Sequence, residues 1–362
     1  MAISQITIDF PLDGSVLNKH HGLESDECLQ ISVRGKAPQN TEISINGVKT
    51  LCPNGSFSTT IALKQQFNII TTDSFSSHKD ICVIWDKNSF KRYNFFIDDN
   101  IFFLTDIYKK RFKSIFESFY LAKLRGFHKK YGAKFVLNVF FRNDHEAFDI
   151  SQFPDRFKGE WDANTDWLRL AFHAFSEFPG NPYGEHFPDK LPEHFALVRE
   201  QITRFAGEKT FCPPCIIHYY DVKSVASIKF LKANGTTALA ICNFPQEMEN
   251  TLMNILYERD SGLFRMPVDF FCNCQAITQI RDTLQKCIAK PWKDTVNIGT
   301  HEQYSFPFYA NYIPDHFERI ETALRIVTEN GYKPVFFHEN LLGSKNKIQG
   351  GLWPQPNFLC NF

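Results

Sequence analysis

The chain has 362 residues, with 40 Lys+Arg against 40 Asp+Glu, and 43% hydrophobic against 22% charged residues. Such a composition is globular rather than disordered, and the length suits two domains better than one. A formal charge of zero lacks the basic excess of a non-specific nucleic-acid binder, and no apolar run approaches the roughly 18 residues of a membrane span.

The opening MAISQITIDF has no basic stretch followed by an apolar one, so the chain reads as cytoplasmic and not as a precursor. Removal of a signal would make it secreted or cell-surface. Ten cysteines, at 28, 52, 82, 212, 215, 242, 272, 274, 287 and 360, are too scattered for a disulfide scaffold and read as reduced and buried. Cys212-Pro213-Pro214-Cys215 and Cys272-Asn273-Cys274 could join in a four-thiolate zinc site. Two prolines stiffen the first pair and the second is one residue short, so packing is the favoured reading. The 38 phenylalanines suit a large core and an aromatic-walled cleft.

Residues 1–93 read as strands. Ile6–Phe10, Leu29–Val33 and Glu42–Ile45 alternate in character, with turn signals at Asp13-Gly14, Asn46-Gly47 and Asn54-Gly55, and Asp80–Trp85 closes the set. Short strands without intervening helix indicate a β-sandwich. The stretches FPLDGSVLN, ISVRGKAPQNTEISINGVKT and NGSFSTTIAL resemble bacterial immunoglobulin-like modules, which space, dock or bind glycans.

From residue 94 to 362 strands alternate with helices. Phe95–Ile97 is a short apolar strand ending in Asp98-Asp99. Apolar spacing predicts a helix over 112–131, stopped by Gly132. Strands follow at Phe135–Phe141, Leu168–Phe172 (ending at His173), Ile216-Ile217 (ending at His218), Ala238–Ile241, Val296–Gly299 and Pro334–Phe337. Helices are predicted at 191–206, 222–234 and 315–330. Repeated β-then-α units imply an α/β fold with a parallel sheet, open or closed into a barrel. Function in such folds collects at the carboxyl ends of the strands. There the chain sets Asp98-Asp99, Asn138, His173, His218 and His301-Glu302. Each has a bland reading, as a helix cap or a structural histidine; their joint placement on one face raises the functional one. The aromatic cluster Trp161, Trp167, Phe172, Phe175, Phe178 and Tyr183 could stack on sugars or form barrel wall.

The order of these segments resembles polysaccharide deacetylase domains. FFIDDN with the helix ending FHKKYGAKFVLNVFF, then LRLAFHAFSE, then RFAGEKTFCPPCIIHYYDVKSVASIKFLKANGTTALAI, DTVNIGTHEQY and NGYKPVFF match the family's motifs in sequence over about residues 94–340. The resemblance implies a distorted (β/α)7 barrel after the immunoglobulin-like sandwich. It also implies a divalent metal, zinc foremost, and hydrolysis of N- or O-acetyl groups on a carbohydrate. It makes Asp98 the general base, His301 the acid, and Asp99 and His173 metal ligands. The position expected to hold the third ligand is Glu177, so the choice stays open between Glu177 and His218, or a neighbour such as His186. Trp167, Tyr183, Tyr219 and Glu302 are candidate substrate contacts. Two departures stand out: Cys212 occupies the place of an arginine that holds the base, and TTALAICNF lacks the aspartate and tryptophan that tether the acid. Glu302, Asp106 or Arg169 would have to substitute. A metal-dependent glycoside hydrolase, or a silent carbohydrate-binding protein, are the other readings on this scaffold.

Overall fold

The structure is a computed structural model that describes residues 5–75, 77–241 and 251–344. Cys242, Cys360 and the end of the TTALAICNF stretch lie outside those residues.

The amino-terminal segment carries β1 (Thr7–Phe10), β2 (Ser15–Leu17), β3 (Gly22–Glu24), β4 (Leu29–Lys36), β5 (Thr41–Ile45), β6 (Val48–Cys52), β7 (Ser56–Leu63), β8 (Phe67–Asp73) and β9 (His78–Trp85). They divide between two sheets. One pairs β4 with β1, β3 and β7, all antiparallel. The other runs β2-β9-β8-β5-β6. Every second residue of β4 and β7 is buried, as a strand covered on one face requires. Leu29, Ile31 and Val33 thereby meet Ile43, Ile45, Ile70 and Val83 of the second sheet in one core.

The remainder begins with β10 (Arg92–Asn100), buried along its whole length as a central parallel strand should be. Next come β11 (Phe135–Phe140), the small hairpin β12 (Arg142–Asn143) and β13 (Phe148–Asp149), and β14 (Leu168–Ala174). Then follow β15 (Ala238–Ile241), β16 (Leu256–Glu258), β17 (Leu263–Pro267), β18 (Phe270–Phe271), β19 (Thr295–His301) and β20 (Lys333–Pro334). The parallel sheet has the order β14-β11-β10-β19-β18, with β20 also on β10. Helices cover it, among them α1 (Phe102–Lys110), α2 (Phe119–Tyr131), α3 (Lys158–Asp162), α4 (Leu191–Ala206) and α5 (Val225–Ala233).

The chain is thus mixed α/β, and several expectations need correction. Among the described residues the ladders do not close into a barrel. Beyond β14 there is one bridge, Leu170 to Phe211, and the expected strand at Ile216-Ile217 forms no ladder; a lone bond from Ala240 N–H to the Cys215 carbonyl (2.8 Å) carries the circuit to β15. β15 and β17 continue through β16 into β2, where Leu256 pairs with Ser15, so the amino-terminal sheet extends into the second half. The helix expected over 112–131 is a 3-10 turn at Ile115–Glu117 followed by α2, which Gly132 ends at φ 66°. The strand expected at 334–337 stops at Pro334 and gives way to a short helix, Phe337–Asn340. Helix α1 and the helix Ile277–Ile288 were not foreseen.

Candidate functional site

Two irregularities in the parallel sheet build the site. The β10–β11 pairing goes from Ile97↔Leu137 to Asn100↔Val139, so Asp98 and Asp99 together stand opposite Asn138. A bulge of this kind bends the strand and re-aims its side chains. Asp99 sits at φ 60°, a left-handed conformation that Asp tolerates better than most residues. Strict alternation would send adjacent carboxylates to opposite faces; here both face the same histidines. The β11–β14 pairing jumps likewise from Val139↔Phe172 to Phe140↔Ala174 and leaves His173 at the irregular position. His218 follows the Phe211–Ile217 segment and precedes Tyr219 and Tyr220, both at positive φ.

Asp99, His173 and His218 converge. His173 Nε2 lies 3.2 Å from Asp99 Oδ1 and 3.1 Å from His218 Nδ1, and His218 Nδ1 lies 3.4 Å from Asp99 Oδ1. Nitrogen and oxygen ligands at about 2.0–2.2 Å from one cation stand roughly 3.0–3.5 Å from each other, so these edges fit a divalent metal. The tautomer fits as well. His218 Nε2 faces the Glu177 carbonyl oxygen at 3.2 Å; a carbonyl only accepts, so Nε2 donates and Nδ1 offers its lone pair to the triangle. Burial, then the neighbouring His173, pushes His218 down to about 4, which keeps the imidazole neutral, the form a cation would need. Burial opposes charge on His173 as well, but Asp98 and Asp99 outweigh it and hold His173 above its ordinary value. Burial would raise Asp99; the His173 hydrogen bond and the histidine charges hold it well below the usual carboxylate range.

Asp98 and His301 are register partners on the adjacent strands β10 and β19. Asp98 accepts from Asn138 Nδ2 at 2.7 Å and from the Tyr220 hydroxyl at 2.5 Å. Burial raises its pKa, against the pull of His173 and His301. No arginine is involved: Cys212, at the place where the resemblance expects one, is a buried thiol pushed up by desolvation. His301 Nδ1 meets the Asn273 side-chain oxygen at 3.1 Å, and the same oxygen accepts from Thr300 Oγ1 at 3.2 Å. An amide oxygen only accepts, so Nδ1 carries the proton and Nε2 is left as the acceptor.

Other candidates lie elsewhere. The Glu177 carboxylate turns to His145 Nε2 at 2.5 Å, and only its main chain touches His218, so His218 and not Glu177 stands at the third corner. Tyr219 lies beside His218, ring centroids 4.7 Å apart. Trp167 is a correction: it precedes β14, at the end remote from His173, and is buried against His128 and Phe116. Tyr183 is equally buried, its hydroxyl on His194. Glu302 is no substrate contact; its carboxylate accepts the N–H groups of Ile101, Phe102 and Phe103 at 2.6–2.7 Å and so caps α1. Asp106 pairs with Lys110 and Arg169 with Glu339, so these do not replace the missing tethers. His186 packs on Phe187. Of the aromatic cluster, Trp161, Trp167, Phe172 and Tyr183 belong to the core, and Phe178 is exposed. Among the described residues no disulfide and no four-thiolate group forms. Tyr220 and Asn273 were not foreseen. Tyr220 had a weak signal, adjoining His218 in an HYY run; Asn273, between two cysteines, had none.

No family model and no curated protein matches the sequence. Among solved structures, the matches cover 68% of the chain in three cases. The first is a family 4 acetyl xylan esterase from Clostridium thermocellum (12% identity, 87% of that chain, TM-score 0.38). The second is a putative polysaccharide deacetylase from Mycobacterium smegmatis (13%, 87%, 0.43), and the third a CE4 family pseudoenzyme from Bacillus anthracis (10%, 64%, 0.33). The structures this chain is similar to are polysaccharide deacetylases of the CE4 family. No helix among the described residues is long and apolar enough to cross a membrane.

Proposed function

We propose that the chain is a metal-dependent hydrolase that removes acetyl groups from a carbohydrate. One observation carries the reading: the Asp99–His173–His218 triangle is flanked by a carboxylate and an imidazole, Asp98 and His301, paired across neighbouring strands. Asp99, His173 and His218 would hold the metal, with zinc as the first choice for two imidazoles and a carboxylate. When bound, the metal supplies Lewis-acid polarisation of the acyl carbonyl and a water of lowered pKa. Asp98 takes the proton from the attacking water, and burial, which raises its pKa, makes it a stronger base than an exposed carboxylate. Asn138 and Tyr220 are positioning residues that aim its carboxylate. His301, with Nδ1–H held on Asn273, acts as an acid once Nε2 has also taken a proton from solvent; that Nε2 proton passes to the leaving amine or alkoxide as the bond to the acetyl carbon breaks, and the ring returns to neutral. The products are acetate and a free amine or hydroxyl.

On this reading the open β14-β11-β10-β19-β18 sheet is a deacetylase-type α/β core, and the two sheets before it are an immunoglobulin-like module, supported by their shared core. A second reading, a silent carbohydrate-binding protein, is favoured by one feature: uncharged partners hold both Asp98 and His301. Acetate release from a panel of acetylated sugars, with and without chelator, separates the two. In an active protein, His301→Ala lowers the rate by about 10²–10⁴ with metal content intact; unchanged turnover removes His301 from the mechanism.

A further inference from the structure

The first turn of α1 holds three N–H groups that its own sequence cannot satisfy. Ile101 precedes the helix at φ −159° and ψ −24° and has no side-chain acceptor to offer, and no residue of the first turn is acidic. Ile101, Phe102 and Phe103 are all buried, so water is not the partner of these donors either. The acceptor comes from 199 to 201 residues away. Glu302 Oε2 accepts the Ile101 N–H at 2.6 Å and the Phe102 N–H at 2.7 Å, and its Oε1 accepts the Phe103 N–H at 2.6 Å. A carboxylate at a helix N-terminus also meets the positive end of the helix dipole.

The same residue holds the other end of the loop that leads into α1. The Glu302 N–H donates to the Asp98 carbonyl at 3.0 Å, and the residue before it is His301, the register partner of Asp98. Between these two attachments lie Asp99, left-handed at φ 60°, and Asn100. Asn100 closes the opposite side, its Nδ2 donating to the carbonyls of Ile97 at 2.5 Å and Asn138 at 3.1 Å. A strained residue such as Asp99 persists only where its surroundings over-determine it. Glu302 is fully buried, so its carboxylate acts on the protein and not on a ligand from solvent.

We infer that Glu302 is a positioning residue for the metal site: by holding Asp98 and the start of α1 at once, it keeps Asp99 in the left-handed conformation that turns its carboxylate to His173 and His218. The inference rests on the metal reading of that triangle and adds the residue that sets its geometry. Without the carboxylate, three buried donors are left unpaired. The first turn of α1 then moves to find acceptors, and Asp99, two residues before Ile101, moves with it.

The test is a Co²⁺ titration of the full chain, read as affinity and as the ligand-field absorption of the bound ion. Glu302→Gln should lower Co²⁺ affinity by about 10- to 100-fold, the range for a partner that orients a metal ligand, and should alter the absorption bands. Glu302→Asp keeps the charge but is one methylene too short to span the three N–H groups. It should behave like Glu302→Gln, whereas a purely electrostatic role would leave it like the parent. Gly14→Ala crowds the Tyr257 carbonyl, away from α1, and so destabilises without touching the loop; it should keep the parent's affinity and bands. A further measurement needs no variant. Coupling is reciprocal, so saturating the parent with Zn²⁺ should slow amide hydrogen exchange at Ile101, Phe102 and Phe103. Parent-like affinity and bands in Glu302→Asp, an equal loss in Gly14→Ala, or exchange at these amides that ignores the metal overturns the inference. A parent that binds no Co²⁺ overturns the metal reading, and the inference with it. A parent that binds Co²⁺ while Glu302→Gln binds it equally well overturns the inference alone.

Discussion

At the scale of single residues, the third corner of the triangle is the sharpest point. His218 Nδ1 is within 3.4 Å of both His173 Nε2 and Asp99 Oδ1, whereas the Glu177 carboxylate is committed to His145. His218→Ala should therefore lower metal affinity by more than the roughly 10–100-fold typical of an outer partner, while Glu177→Gln leaves the metal content near that of the parent. Elemental analysis of the purified variants checks both. His316 offers a second residue-scale prediction, away from the metal. It is buried between Thr300 Oγ1 at 2.6 Å and Ser305 Oγ at 2.7 Å, and burial, reinforced by Arg319, pushes it down to about 3. The unfolded chain binds this proton near pH 6.5 and the folded chain does not. Stability from this group is thus complete above that pH and falls as pH drops toward 3. Between pH 7 and 5 the loss is about 2 kcal/mol. Urea denaturation should show His316→Gln losing about that much less than the parent over the same interval.

At the scale of elements, the bulges matter more than the strands they interrupt. A regular β10 would leave Asp98 and Asp99 on opposite faces, and one register jump, with Asp99 at φ 60°, brings both to the histidines. The contact between β2 and β16 is equally particular. Gly14 sits at φ +80°, its carbonyl accepts the Tyr257 N–H at 2.8 Å, and a Cβ there would overlap the Tyr257 carbonyl. Gly14→Ala should therefore destabilise by about 2–4 kcal/mol, through strain and through the lost sheet contact. A thermal scan of that variant tests it. Gly47, also at positive φ but in open space, is the matched control, where the backbone conformation alone is taxed.

Over the whole molecule, the two halves are joined by more than a linker. The amino-terminal sheet continues through β16 into β17 and β15. At the crossing, Arg92 is fully buried, paired with Asp86 at 2.9 Å, and donates through Nη2 to the Leu341 carbonyl at 2.6 Å. Removing one partner of such a pair leaves a buried charge and costs about 3–5 kcal/mol. Calorimetry of the full chain should accordingly show one cooperative transition, with Asp86→Ala lowering it as a unit. Two separated transitions, the first matching residues 1–91, would show the halves to be independent.

The sequence alone determined the local features. Alternation in β4 and β7, the apolar runs of β10, β11, β14 and β19, and the polar residues closing them can be read from neighbours a few positions apart. Side-chain period and strand ends are local properties. It also placed Asp98, Asp99, His173, His218 and His301 after those runs. What it could not choose was Glu177 against His218, because both follow a β-strand or strand-like run and either is chemically sound as a ligand. That choice depends on where His145 and the Glu177 carbonyl lie, across 32 and 41 residues. Tyr220 reaches Asp98 across 122 residues, and Asn273 reaches His301 from a segment with no motif. The sheet that passes from β2 into β16 joins Ser15 to Leu256. Only the tertiary structure decided these, because register shifts, left-handed residues and distant pairings arise when packed elements compete for position, and a linear pattern records the elements without that competition.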